Sequence, residues 1–170
     1  MGAIKILIVK GIIVISLILL TGCQQKLVTQ AVKDATLAIE EQQYSQASIL
    51  LHLASVESSK HEYEALHEQS LHLVNMEKYK EANNLDQMLL TWTELNLIDT
   101  RSDMIKEEAT QLLGRLLEEV EIVAEESLEV DNSQEVISFI RLIETRMGTF
   151  DLFQSEIERL VELRIQLEGV

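Results

Sequence analysis

No proline interrupts this 170-residue chain, one cysteine is present, and aromatic residues make up 4% of it. It has six glycines, and three of them (Gly2, Gly11 and Gly22) fall in the first 22 residues. Each scarcity excludes something. One cysteine cannot build a disulfide framework or a cysteine-based zinc site. With no proline, and with Gly114, Gly148 and Gly169 as its later glycines, the chain lacks the turn chemistry of a β-sandwich or an α/β enzyme. Basic residues are scarce as well: 14 Lys and Arg stand against 29 Asp and Glu, a net charge of −15. Phosphate recognition rests on Lys and Arg, so no nucleic-acid partner is expected.

What is present divides at residue 23. Residues 1–22 carry no acidic side chain; Lys5 and Lys10 supply a positive start, and Ile12–Leu20 is a nine-residue uncharged hydrophobic stretch. A positive start, a short apolar run and then small residues is the layout of a secretory signal. A membrane-spanning helix needs about 20 apolar residues, twice that stretch. The run ends in Leu20-Thr21-Gly22-Cys23, and Cys23 is the cysteine counted above. This tetrapeptide resembles the lipobox of bacterial lipoproteins. The resemblance implies that the Cys23 thiol forms a thioether to diacylglycerol and that the leader is cut just before it. Two acyl chains suffice for stable anchoring, since each buried methylene contributes about 0.8 kcal/mol. The expected organisation is a signal peptide at 1–22, a lipidated tether at 23–26 and an extracytoplasmic domain at 27–170, held at the cell membrane by its lipid. Loss of Lys5 and Lys10 with the leader would take the net charge from −15 to −17.

From Leu27 onward the apolar residues recur at helical spacing. Leu27, Ala31, Ala35, Ala38 and Ile39 form one stripe, and Ala47, Leu50, Leu51 and Ala54 the next. A longer one runs from Ile105 through Leu112, Leu113 and Leu116 to Val120 and Ala124. The spacing predicts an all-α domain with helices near 26–41, 44–57, 60–75, 78–96, 102–127, 133–147 and 150–168. Start signals stand between stripes: Ser59 three before Glu62, Thr100 three before Asp103, and Asn132 three before Glu135. Gly148-Thr149 reads as a helix stop followed by a new cap.

A repeat is legible in the first half. AIEEQQYSQASILLHLA from Ala38 aligns with LVNMEKYKEANNLDQML from Leu73, so that Tyr44 matches Tyr79 and Ala47 matches Ala82. This is similar to the turn and second helix of a tetratricopeptide repeat, with Gln42 and Glu77 standing where that family has glycine. The resemblance implies antiparallel helical hairpins over 31–97, followed by a helical bundle over 101–168. Stacked hairpins would expose a concave binding face, whereas a closed bundle hides its core.

Catalytic signatures are lacking. There is no Gly-x-Ser-x-Gly elbow, phosphate-cradling glycine loop or EF-hand run, and Asp131-Asn132-Ser133 reads as a cap. Pairs such as Glu118-Glu119 and Glu125-Glu126 point about 100° apart on a helix, poor geometry for joint acid–base work. No enzymatic activity and no cofactor are expected. The four histidines crowd into His52, His61, His67 and His72, beside Glu64 and Glu68. Such ligands suit a divalent metal, yet no His-Glu-x-x-His arrangement occurs, and His67 and His72 diverge by about 140° on a helix. A solvated acidic face is the plainer reading. Trp92, with Leu85 and Leu89 on its face, reads as core, and Phe150 and Phe153 as pins for the last helix. The expectation is a membrane-anchored lipoprotein whose helical domain binds or scaffolds a protein partner, with a groove for a basic partner as the secondary reading of the acidic charge. Alternatives are a ligand- or metal-binding sensor built on 52–72, or a phage-type surface-exclusion lipoprotein.

Overall fold

The apolar stripes become helices in the computed structural model, which describes residues 25–58, 60–98, 102–128, 133–148 and 150–169. Seven α-helices lie among them: α1 over 25–40, α2 Tyr44–Glu57, α3 His61–Glu81, α4 Leu85–Leu97, α5 Asp103–Ser127, α6 Gln134–Met147 and α7 Gln154–Glu168. A single 3₁₀ turn, Asp151–Phe153, leads into α7. No strand occurs among the described residues. The chain is all-α, as the spacing predicts. Cys23 and the rest of the lipobox lie outside the described residues, as do the start signals Ser59, Thr100 and Asn132.

Two breaks differ from the expected ones: the last helix, expected from 150, begins at Gln154 after the 3₁₀ turn, and the break between α3 and α4 lies further along the chain. The spacing predicts a break at 76–77, but α3 continues to Glu81. Met76 is fully buried, and nothing from Glu77 to Lys80 breaks a helix. The chain turns instead at Ala82-Asn83-Asn84. Asn83 adopts φ 52°, and the same left-handed conformation recurs at Gln42, φ 59°. At each, two amides turn back on the preceding helix. Gln43 donates to the Ala38 carbonyl (2.7 Å) and Gln42 to that of Ile39 (2.9 Å); Asn84 donates to Tyr79 (2.8 Å) and Asn83 to Lys80 (3.0 Å). These are Schellman stops, which satisfy carbonyls left over at a helix end. The residue after each left-handed position then flanks the next helix, and the Asn84 side chain accepts from the Gln87 amide.

The two stops are 41 positions apart, and that interval fixes a different repeat from the 35-residue one read above. Tyr44, Ala47, Ser48, Leu51 and Ala54 of α2 are buried, and so are their counterparts 41 residues on: Leu85, Met88, Leu89, Trp92 and Leu95. The aligned tyrosines are not equivalent. Tyr44 opens α2 after its turn, whereas Tyr79 lies in α3 before its turn, and Ala82 is exposed while Ala47 is fully buried. Matching residue types had set the register; the left-handed turns set it differently.

A left-handed conformation costs an ordinary side chain about 1–2 kcal/mol, less for asparagine. Glycine removes that strain but gives up chain entropy. Gln42→Gly is expected to stabilise the protein by about 0.5–1 kcal/mol, and Asn83→Gly by less. Urea midpoints of the two variants test this, and a lower midpoint for Gln42→Gly would contradict it. At Gly148 the reason for glycine is different. Its φ is −59°, but a Cβ there would lie 2.6 Å from the Glu144 carbonyl oxygen, which accepts the Gly148 N–H that ends α6.

The chain forms two compact units, Met1–Leu71 and His72–Val170, with the division inside α3. In the first unit, Val28 and Ala31 of α1 pack with Ala54 of α2, and Val32 and Tyr63 close around them. In the second unit, α6 packs along α7, α5 lies against both, and α4 lies against α5 and α6. Met88, Leu89 and Trp92 of α4, Ile105, Leu113 and Leu117 of α5, and Ile140 and Ile143 of α6 are all but fully buried. The second unit's cations link its helices. Arg159 pairs with Glu121 and Glu125, Arg164 with Glu144 and Glu168, Arg146 with Asp86 (2.7 Å), and Lys80 with Glu119 (2.6 Å). Each partly exposed pair is worth at most about 1 kcal/mol, and Arg164–Glu168 lies within α7 rather than between helices.

Candidate functional site

Two of the four histidines come together. His52 of α2 and His67 of α3 have ring centroids 4.7 Å apart. They line an open groove in the first unit with Ser55 and Val56 of α2 and Glu64, Glu68 and Leu71 of α3. The other two are not part of this contact. His61 is exposed at the start of α3, its Nδ1 3.4 Å from Glu64 Oε2, and His72 belongs to the second unit. Among the described residues no group of three or more His, Cys, Asp or Glu side chains is placed to hold a metal ion.

Burial, and then the neighbouring His52 ring, hold the His67 pKa below its ordinary value, while Glu68 pulls it upward. The folded protein therefore binds this proton less readily than the unfolded chain, and stability is lost as pH falls through and below the ordinary imidazole range of about 6.5. His67→Gln is expected to flatten the fall in Tm between about pH 7.5 and 5.5, a window above most carboxylate titration. An equal fall in both proteins would show that His67 does not contribute.

The groove runs beside a face that the histidine and carboxylate spacing did not single out. The exposed positions of α2 are Ser45, Gln46, Ile49, His52, Leu53 and Val56, and none is Asp, Glu, Lys or Arg. Every other described helix exposes at least one such residue. Ile49 is 70% exposed and Val56 68%, one on each side of the 40%-exposed Leu53 at helical spacing. A signal was available: residues 44–56 hold no Asp, Glu, Lys or Arg in a chain that is 25% charged.

In the second unit an apolar pocket of about 160 Å³ lies among Leu85, Met88, Leu116, Val120, Val136 and Phe139, beside the Lys80–Glu119 pair. Trp92 is 1% exposed, with Phe150 edge-on at 5.1 Å and Phe153 at 6.1 Å between centroids. Its role is core, and the two phenylalanines meet it from the start of the last helix, as expected.

Compared with known proteins, the chain matches no family model, no curated protein and no solved structure. Function must be read from the chain itself.

Proposed function

We propose that the protein is a lipoprotein, anchored through Cys23 on the extracytoplasmic side of the membrane, whose helical domain binds a protein partner. The observation that carries this reading is Leu20-Thr21-Gly22-Cys23 at the end of a short, positively flanked apolar run. Among the described residues no helix is long and apolar enough to cross a membrane; the attachment proposed is the lipid on Cys23. The binding role falls on the helical surface and does not depend on the tetratricopeptide register. Lateral confinement at the membrane would raise the effective concentration of the domain for a partner in the same plane.

Crosslinking the anchored protein in native membranes and identifying the captured chain tests the binding role. Recovery of one reproducible protein partner is the expected result. Tight binding of a small ligand with no protein captured would overturn it.

A further inference from the structure

We propose that the exposed face of α2, together with the α2–α3 groove beside it, docks a basic amphipathic helix of the partner protein. This inference rests on the binding-module reading and specifies its surface. The first ground is the sequence of α2. A helix that is apolar all round is normally buried all round, and α2 carries apolar residues on both sides: Tyr44, Ala47, Leu51 and Ala54 inside, Ile49, Leu53 and Val56 outside. Among the described residues only the inner side is covered. The outer stripe, at positions i, i+4 and i+7, spans about two turns and presents the anchor spacing used when one helix lies along another.

The second ground is charge. α2 offers no charge along its exposed stripe, and α3 borders the groove with Glu64 and Glu68. Lys60, the one Lys or Arg in sequence between Lys33 and Lys78, stands over the Tyr63 ring at 5.9 Å. An apolar strip edged by carboxylates complements a helix with an apolar stripe flanked by Lys or Arg.

The same features disfavour the other occupants. A helix that lies on a bilayer carries Lys or Arg beside its apolar face; α2 has none, and Glu64 and Glu68 would face anionic headgroups. A second copy would bring the same acidic rim against this one, on a chain whose net charge is −15.

The test uses the full anchored chain in zwitterionic-lipid nanodiscs and two synthetic helical peptides about four turns long. Both carry leucines at i, i+4 and i+7, one flanked by lysines and the other by glutamates. The lysine peptide is expected to bind. Ile49→Ser with Val56→Ser should weaken it about tenfold or more, the scale of losing central anchors. Glu64→Gln with Glu68→Gln should weaken it several-fold and flatten its salt dependence. Ile165→Ser, at an exposed apolar position on α7, should change nothing. All four sites substituted on α2 and α3 are surface positions or groove edges, and an unchanged Tm checks that the variants are folded.

Equal binding of the glutamate peptide, or full binding to the Ile49→Ser/Val56→Ser variant, would overturn the proposal. So would dimerisation or capture by anionic vesicles that the same double substitution abolishes. If neither peptide binds, this surface assignment falls; a partner crosslinked in native membranes from positions outside α2 and α3 would still leave the binding-module reading standing. No partner captured from any position would overturn both.

Discussion

Cys23→Ser is expected to abolish fatty-acid labelling and to leave the protein as an unprocessed precursor. The argument is chemical. A thiolate can displace a leaving group to form a thioether, and its nucleophilicity far exceeds that of an un-ionised serine hydroxyl at neutral pH. Serine fits the same space but carries no diacylglycerol. In lipoproteins, which the Leu20–Cys23 sequence resembles, cleavage follows lipidation, so both outcomes should fail together. Membrane attachment then has a second readout. The two acyl chains of a diacylglycerol hold a protein stably, at about 0.8 kcal/mol per buried methylene. Between Lys10 and Lys26 the unprocessed chain offers 15 uncharged residues, Gly11–Gln25, short of the roughly 20 needed to span. The variant should therefore be extracted by carbonate or high salt under conditions that leave the parent in the membrane. Unchanged size, labelling and extraction would refute lipid anchoring at Cys23.

The helices were legible because burial imposes a period that the sequence must carry. Ile105, Leu112 and Leu113 of α5, and Val136, Ile140 and Ile143 of α6, lie on the buried faces, and that period locates both helices, although the structure buries Leu117 and leaves Leu116, where the spacing places the stripe, half-buried. The turns were less legible. Left-handed stops usually announce themselves as glycine, and here they fall on Gln42 and Asn83. Residue type gave no mark, so the second turn was expected several residues too early and the repeat aligned on tyrosines instead. The His52–His67 contact joins two helices, and no spacing along one helix encodes it. The apolar face of α2 was legible in principle, but as a missing charge rather than as a motif.

Trp92→Ala is the substitution expected to cost most in folding, about 3–5 kcal/mol, the range for removing a buried tryptophan or phenylalanine. Domains of this size are commonly stable by only about 5–15 kcal/mol, so the loss would take a large share of the total. Trp92 is 1% exposed on α4 and is the ring that Phe150 and Phe153 meet. Removing it leaves a cavity and also releases the 3₁₀ turn Asp151–Phe153 that leads into α7. Far-UV circular dichroism should show Tm lowered by roughly 2–4 °C for each kcal/mol lost, and proteolysis should begin near residues 150–153. A second variant separates ring from polar atom. The indole Nε1 is buried without a hydrogen-bond partner among the described residues, and an unsatisfied buried donor costs about 1–3 kcal/mol. Trp92→Phe removes that donor while keeping an aromatic ring against Phe150. It is therefore expected to cost well under half of what alanine costs, the smaller ring's cavity being offset by the donor's removal. Equal losses in the two variants would mean that the indole N–H contributes through a partner, such as an ordered water, and that the aromatic contacts contribute little.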